Sequence, residues 1–345
     1  MNSFLGVSIF IALFTGVSSI SFAQKQTAIV PSEIWGDTDG NQIQAHGGGI
    51  IKVGRNYYWY GEQRRKDLDT NYRFVSCYSS KDLMNWKFKG NVMAQTKPDT
   101  MLVNNKWVLE RPKVYYNSKT KKYVMYMHID GALKTSKYNF AYDYARVGVA
   151  ISDKATGPFK LIKTFRPLGK ESRDIGQFID NDGKAYLIFE SRPEKGFYIA
   201  QLSDDFLDCE KETSFIKSPL EGGAIVHYKG LYYAVGSGLT GWSPNANKVA
   251  TSTSLSGPWS EFVDIAPPKT KTYSSQSTMF IKIVGKKDTT VIFMADQWKP
   301  KELWDSRYLW MPVQIGEGKL WLSEPKPWSI DVKSGEWKYA ESDTK

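Results

Sequence analysis

The chain has 345 residues, a formal net charge of +10 and an aromatic fraction of 14%, with 12 Trp and 20 Tyr. Its Lys and Arg residues are dispersed, without a basic helix or an RNA-binding motif, so no nucleic-acid partner is expected. Solvated surface charge is the simpler interpretation, and affinity for uronate-bearing glycans is the alternative. Cys77 and Cys209 are the only cysteines, which excludes a disulfide framework and predicts two buried thiols.

The N-terminal segment predicts export. Residues 4–22 are apolar or small and uncharged, and Ser21-Phe22-Ala23 places small residues where signal peptidase requires them. This pattern is typical of a signal peptide over residues 1–23, cleaved before Gln24. A membrane anchor is the alternative, disfavoured by the small and polar residues at the end of the run. We therefore expect a secreted or periplasmic protein without a membrane partner.

A repeated pattern predicts the fold. Five short β-branched and aromatic runs recur at intervals of roughly 45–65 residues, and several follow a turn signal. The runs are Tyr57–Glu62, Tyr123–His128, Ala185–Glu190, Leu231–Gly236 and Thr290–Ala295. Five degenerate repeats favour an all-β, five-bladed β-propeller with four strands per blade, built by residues 24–345 as one domain. A β-sandwich is the alternative, but it would not require this long-period similarity.

Some of the 36 acidic residues lie within or beside apolar strand runs, where a charge is costly unless paired or functional. They are Glu62, Glu110, Asp174, Glu190, Glu221 and Asp296. Each could belong to a structural ion pair with a neighbour such as Arg111 or Arg173. Because the inner strands of a propeller converge on one axis, carboxylates in successive blades predict a single shallow pocket.

Paired carboxylates without a metal motif favour cleavage of a glycosidic bond. One protonated acid donates to the leaving oxygen, and in an inverting enzyme a second group activates water roughly 6.5–9.5 Å away. Trp242 and Trp298 are expected at the pocket rim, where they could stack on sugars or pack in the core. The three His lack zinc-binding spacing, and no nucleophile elbow or phosphate loop appears. We expect no metal and no cofactor, and leave open a structural ion in the central channel.

The motifs resemble those of glycoside hydrolase family 43, and most closely its exo-β-1,3-galactanase branch. The matching segments cover nearly the whole mature chain in order: 44–49, 58–62, 110–114, 145–150, 172–174, 236–242, 296–298 and 307–312. The resemblance implies a secreted, inverting exo-glycosidase that hydrolyses β-1,3-galactan of a plant cell-wall polysaccharide and releases galactose or short oligosaccharides. An α-L-arabinofuranosidase, a β-xylosidase or a non-catalytic glycan-binding propeller are the alternatives. A monomer is expected.

The resemblance also implies residue roles. Glu221 matches the general acid, and Asp174 matches the residue that orients it and raises its pKa. Substrate-binding roles are expected for Glu62, Glu110, Tyr142, Glu190, Trp242 and Trp298, with Tyr142 the weaker motif match.

The water-activating group is less clear from the motifs. The wider family has an Asp base in the first blade, where this chain has Ala45-His46-Gly47, and Asp37 and Asp39 are expected to be turn residues. The galactanase branch has a Gln near the water instead, and Gln276 matches that position. The chain departs from the family at Gln297, commonly Arg, and at Gly176-Gln177 after Asp174, so subsite contacts are expected to differ.

Overall fold

A computed structural model describes residues 25–137, 141–218 and 220–341 of the chain. Five antiparallel sheets surround a central axis, which confirms the predicted five-bladed β-propeller. The predicted signal peptide, residues 1–23, lies outside the described residues. Within the described ranges no helix is long and apolar enough to cross a membrane.

Four blades have four strands each, and in each of them the strands pair in sequence order. Blade 1 contains β1 (His46–Val53), β2 (Asn56–Gln63), β3 (Arg73–Ser80) and β4 (Lys87–Gln95). Blade 2 contains β5 (Leu102–Asn117), β6 (Lys122–Leu133), β7 (Arg146–Ser152) and β8 (Lys160–Phe165). Blade 3 contains β9 (Arg173–Ile179), β10 (Ala185–Ser191), β11 (Gly196–Leu202) and β12 (Cys209–Lys217). Blade 4 contains β13 (Leu220–Tyr228), β14 (Leu231–Gly238), β15 (Lys248–Ser252) and β16 (Val263–Asp264).

The fifth blade differs from the expected four strands, because its sheet contains three. These are β17 (Gln276–Val284), β18 (Thr289–Gln297) and β19 (Arg307–Pro312). The chain leaves this sheet at Pro312, which has no amide hydrogen to extend the ladder. Two hairpins follow: β20 (Gln314–Gly316) with β21 (Lys319–Trp321), and β22 (Trp328–Ile330) with β23 (Trp337–Tyr339). The helical segments are short: α1 (Lys271–Ser274) and 3₁₀ turns at Pro167–Gly169, Pro268–Thr270 and Leu303–Asp305.

The five repeated runs form the second strand of each blade, namely β2, β6, β10, β14 and β18. Their apolar side chains are buried on both faces because each sheet is covered by its two neighbours. The core is accordingly divided into five clusters, one between each pair of adjacent blades. The recurring sequence pattern therefore reflects a recurring packing requirement.

The N-terminal segment closes the ring between blades 1 and 5. Ile29 forms an antiparallel bridge with Trp328, and the Trp35 ring packs edge-on against Trp310 at 5.1 Å between centroids. Asp37 caps the following turn by accepting hydrogen bonds from the amides of Asp39 and Asn41, both at 2.9 Å, as expected of a turn residue. Cys77 and Cys209 are free and buried, which confirms that prediction.

Candidate active site

One pocket lies on the propeller axis, at the face where the first strands begin and the second strands end. All five blades contribute to its wall. The lining residues are Glu62, Arg64, Glu110, Arg111, Tyr142, Asp174, Arg192, Glu221, Gly241, Trp242, Gln276 and Trp298. The structure thus brings together eight of the nine residues expected from the sequence, all except Glu190.

A β-bulge in each first strand aims these side chains at the axis. The register shifts lie at 46–49, 110–113, 173–176, 221–224 and 277–279. Four bulges contain a residue with positive φ: Gly47 at 57°, Arg111 at 51°, Asp174 at 38° and Gly222 at 68°. Left-handed backbone in Arg and Asp is uncommon and costs energy, and such residues concentrate at functional sites.

Gly222 shows why one of these bulges requires glycine. Besides its positive φ, a Cβ at this position would lie 2.9 Å from the carbonyl oxygen of Ser277 in the next blade. The absence of a side chain therefore allows β13 and β17 to approach closely, and it brings Glu221 next to Gln276.

Glu221 is a carboxyl group held in its protonated form. Its residue is 7% exposed, and burial, followed by the negative charges of Asp174 and Glu190, raises its pKa to about 9. The positive charges of Arg111 and Arg192 act in the opposite direction but are outweighed. A carboxylic acid that keeps its proton at neutral pH is the group that a general-acid step requires.

Glu190 lies outside the pocket lining. It is 1% exposed, and its Oε1 accepts a hydrogen bond from the Nε atom of Arg192 at 3.0 Å. Burial, then the charge of Asp174, raises the pKa of Glu190. Its position fits an electrostatic influence on Glu221 through the protein, with Arg192 between it and the pocket.

Glu110 is held in the opposite state to Glu221. Burial alone would raise its pKa, but a hydrogen bond and the charge of His128 outweigh burial and lower the pKa to about 2. The two residues are joined by Nδ1 of His128 and Oε2 of Glu110 at 3.3 Å. The Tyr142 hydroxyl donates to Oε1 of Glu110 at 3.2 Å. Glu110 is therefore an ionised hydrogen-bond acceptor in the pocket wall.

His128 links Glu110 to a second buried carboxylate. Its Nε2 lies 3.1 Å from Oδ2 of Asp130. Burial would lower the pKa of His128, but hydrogen bonds to Asp130 and Glu110 raise it to about 10. The other oxygen of Asp130 accepts hydrogen bonds from three backbone amides, those of Gly131, Tyr144 and Ala145. The imidazolium is thus fixed between two anions, one of which is anchored to the backbone.

Glu110, His128 and Asp174 also lie close enough to form a metal-binding group, with one ligand atom of each within 4.8 Å of the others. A metal requires neutral imidazole, whereas both nitrogens of His128 face carboxylates and its pKa is raised. These three residues therefore fit an ion-pair network better than a metal site. The expectation that no cofactor is needed stays a prediction.

Arg111 connects the catalytic candidates. Its guanidinium, fully buried, reaches Oδ1 of Asp174 with Nε at 3.1 Å and Oε1 of Gln276 with Nη2 at 2.6 Å. Its backbone amide donates to Oε1 of Glu62 at 2.9 Å, and Arg64 donates to the other oxygen of Glu62 through Nε at 2.8 Å. One arginine therefore contacts residues from blades 1, 3 and 5.

The amide of Gln276 has a protein partner at each of its hydrogen-bonding groups. Nε2 donates to Oε1 of Glu221 at 3.0 Å and to Oγ of Ser237 at 3.2 Å. Oε1 accepts from Arg111 and from the indole of Trp298 at 2.9 Å. With both donors and both acceptor directions in use, Gln276 must release a partner before it can hold a water molecule.

The two tryptophans occupy different depths. Trp298 is fixed by its hydrogen bond to Gln276, whereas Trp242 is 43% exposed and packs edge-on against Trp298 with centroids 5.6 Å apart. Both follow second strands, β18 and β14, so they stand where those strands meet the pocket. An exposed indole at a pocket rim offers a stacking surface for a sugar ring.

Lys113 is buried on the axis beneath the pocket. Its Nζ donates to the carbonyl oxygens of Gly47 at 2.6 Å and Gly48 at 3.0 Å, which fixes the bulge of blade 1. Burial, then the charge of Arg111, lowers the pKa of Lys113 to about 7. An amine therefore lies in the central channel. This is the place for which the sequence left open a structural ion.

Sequence reasoning missed the positively charged half of the pocket. The sequence does not single out Arg64 or Arg192, it predicts Arg111 only as an ion-pair neighbour, and it excludes His128 only as a zinc ligand. Arg64 and Arg192 each lie two residues after a carboxylate at the end of a second strand, Glu62 and Glu190, and this spacing was the available signal.

Comparison with known proteins identifies the class. The model of glycosyl hydrolases family 43 matches residues 44–297, so the chain belongs to this family and is a glycoside hydrolase. No curated protein sequence matches the chain.

Several solved structures are similar to this chain over most of its length. An exo-β-1,3-galactanase from Phanerochaete chrysosporium is 36% identical, with a TM-score of 0.82 over 91% of this chain and 71% of that one. One from Clostridium thermocellum is 34% identical, with a TM-score of 0.80 over 92% and 69%. A putative one from Bifidobacterium bifidum is 35% identical, with a TM-score of 0.74 over 87% and 97%. The resemblance to the exo-β-1,3-galactanase branch is confirmed.

Proposed function

We propose that the protein is an exo-acting hydrolase of β-1,3-linked galactan that releases galactose or short galacto-oligosaccharides. Two findings support the substrate. The similar proteins are exo-β-1,3-galactanases, and the fungal one has been solved with galactose and with β-1,3-galactotriose. The pocket wall is built by all five blades, which suits the end of a chain better than its middle.

The observation that carries the mechanism is the burial of Glu221 beside Asp174 and Glu190, which raises its pKa to about 9. In the proposed reaction Glu221 gives its proton to the glycosidic oxygen as the bond to the anomeric carbon breaks. Asp174 supports this role because its charge is the largest contribution after burial to the raised pKa. Glu110 and Glu62 accept hydrogen bonds from hydroxyl groups of the terminal sugar. Tyr142, Trp242 and Trp298 form the walls of the same subsite.

Inversion requires water to attack the anomeric carbon from the face opposite the leaving oxygen. We assign Gln276 to position that water. Since its amide is saturated by Glu221, Ser237, Arg111 and Trp298, substrate entry must first loosen one of these contacts. The contact with Glu221 is the natural one to break, because that carboxyl turns to the glycosidic oxygen during the reaction.

We further propose that the protein acts outside the cytoplasm as a monomer, on a plant cell-wall polysaccharide. The apolar N-terminal run with its small-residue ending supports export. The absence of nucleic-acid and membrane partners remains an expectation from the sequence.

Product analysis tests the proposed function. The full chain is incubated with β-1,3-galactan, β-1,4-galactan, arabinan and xylan, and the anomer released first is followed by NMR. We expect galactose and short oligosaccharides from β-1,3-galactan alone, with the inverted configuration. Arabinose or xylose would favour the alternatives within the family, retention of galactan without sugar release would favour a binding propeller, and a retained anomer would contradict the assigned roles.

A further inference from the structure

The end of the propeller opposite the pocket has a basic region in the turns nearest the axis. The turns that join the first and second strands of the blades lie at this end, together with the residues beside them. They carry ten cationic side chains: Lys52, Arg55, Lys119, Lys121, Lys122, Lys184, Lys229, Lys282, Lys286 and Lys287. The same segments carry three carboxylates, Asp180, Asp182 and Asp288. The turns that join the third and fourth strands lie at the same end and carry Asp82, Asp153, Asp204, Asp205 and Asp208, so the excess of positive charge belongs to the turns between the first and second strands.

Much of this positive charge is uncompensated. Within the described residues four of the cations pair with a carboxylate: Lys119, Lys122, Lys184 and Lys287. The other six form no salt bridge there. Lys282 is the most informative of them, because its Nζ donates to Oδ1 of Asn181 at 3.1 Å and to the carbonyl of His227 at 3.2 Å. Its ammonium is positioned by two neutral acceptors and has no carboxylate partner among the described residues.

Five of the ten cations line a groove made of two adjoining halves. One half runs between the turns of blades 3, 4 and 5 and is bordered by Asn181, His227, Lys229, Lys282, Lys286 and Lys287, together with the carboxylate Asp288. The other half crosses the axis to blades 1 and 2 and is bordered by Lys52 and Tyr116. The two halves share His227 and Lys282.

The groove combines charge with features that suit a sugar. The Tyr116 ring is 39% exposed at one end, which provides a stacking surface, and Asn181 and His227 provide further polar groups between the cations. All its cations are Lys, which bind as point charges and lack the bidentate fork that Arg offers to carboxylate and phosphate alike, so the choice of a sugar ligand rests on the polar and aromatic groups beside them. A sugar that bears a carboxylate can pair with the lysines, form hydrogen bonds with the polar side chains and stack on the tyrosine ring.

We propose that this groove is a second glycan-binding site, specific for a polysaccharide that bears uronate residues. It holds an acidic chain on the face opposite the pocket, so an acidic and a neutral chain can be bound at the same time. The site is independent of the catalytic roles given above, because none of its residues lines the active-site pocket.

Binding of the full-length mature chain to polygalacturonate tests the proposal. Retention in an affinity gel and titration calorimetry are measured over a range of NaCl concentrations, and we expect binding that weakens with salt. The triple variant Lys229→Gln, Lys282→Gln, Lys286→Gln removes three charges from the groove. Its affinity should fall by about tenfold, the combined effect of three exposed ion pairs. Tyr116→Ala should weaken binding without changing the salt dependence.

A matched triple variant separates the groove from net charge. Lys87→Gln, Lys160→Gln, Lys217→Gln removes the same charge from exposed lysines of the outermost strands β4, β8 and β12. This control should bind polygalacturonate within about twofold of wild type, and both triples should release galactose from β-1,3-galactotriose at the wild-type rate. An equal loss in both triples would overturn the proposal. So would equally tight binding to duplex DNA or to anionic phospholipid vesicles, or no binding to polygalacturonate.

Discussion

Glu221 and Glu110 lie in one pocket, and both are less than a tenth exposed, yet their pKa values move in opposite directions. Glu221 has carboxylates as its main charged neighbours, and its pKa rises to about 9. Glu110 has the His128 imidazolium as its nearest charged partner, and its pKa falls to about 2. The same side chain thus becomes a proton donor or a permanent anion according to its neighbours.

Replacing Glu221 by Gln should give the largest effect. The substitution keeps shape and hydrogen bonding but removes the transferable proton, so hydrolysis of β-1,3-galactan should fall by about 10²–10⁴-fold while binding is retained. Rates of galactose release and the affinity for galactotriose measure the two quantities. Glu261→Gln, which changes an exposed carboxylate of the same protein, is the control. More than about a tenth of the wild-type rate in Glu221→Gln would exclude Glu221 as the general acid.

Replacing His128 by Asn tests the surroundings of Glu110. It removes the cation that Glu110 and Asp130 share, and leaves them with Arg64 at 3.5 Å and Arg173 at 3.4 Å. The loss of unfolding free energy should therefore be at most about 3–5 kcal/mol, the value for a fully broken buried ion pair. Urea unfolding at pH 7 measures the loss. His227→Asn removes the contact of His227 with Asp180. The side chains of these two residues are 20% and 12% exposed, so the loss of unfolding free energy should be smaller. Equal losses in the two variants would contradict the network described for His128.

The strands and the carboxylates of the site could be predicted from the sequence. The five strand runs could be found because each blade must bury both faces of its second strand, which repeats one pattern five times. Glu62, Glu110 and Glu221 could be selected because a carboxylate within or beside an apolar strand run is costly unless it is paired or functional.

The cations of the site were harder to predict. Arg111 reaches the pocket through a left-handed backbone conformation that has no signature in an Arg residue, and its partners come from distant blades. The role of His128 depends on two carboxylates brought to it by folding, one of them on another strand. The three strands of the fifth blade could not be predicted, because the repeated runs give the number of blades and not the number of strands in each.

The raised pKa of Glu221 also predicts a pH dependence of stability. Its folded pKa, about 9, lies above the ordinary value of 4.5, so its protonated form is favoured by folding. Its contribution to stability is complete below pH 4.5 and is lost as the pH rises towards 9. Glu221→Gln should therefore gain stability relative to wild type between pH 5 and pH 8, by at most about 1.4 kcal/mol per pH unit. Urea unfolding at pH 5 and at pH 8 measures the stability of each variant relative to wild type. If this relative stability changed with pH as little for Glu221→Gln as for Glu261→Gln, the raised pKa would be contradicted.

The smallest predicted effect concerns Gln276, the residue between the two halves of the pocket. If it positions the attacking water, Gln276→Ala should lower the rate by more than about tenfold, which exceeds one hydrogen bond of roughly 0.5–1.5 kcal/mol. Added azide should restore part of the activity by attacking the anomeric carbon as an external nucleophile.

Ser237→Ala provides the matched control for this prediction. It removes one of the hydrogen bonds that hold Gln276, at 3.2 Å, and leaves the amide itself in place. Its cost should stay below about tenfold. If Gln276→Ala were no more damaging than Ser237→Ala, the glutamine would be a structural partner of Glu221, and a carboxylate would have to activate the water. Asp174 would then be the first candidate, because it lines the pocket and is bound by Arg111 through Nε at 3.1 Å.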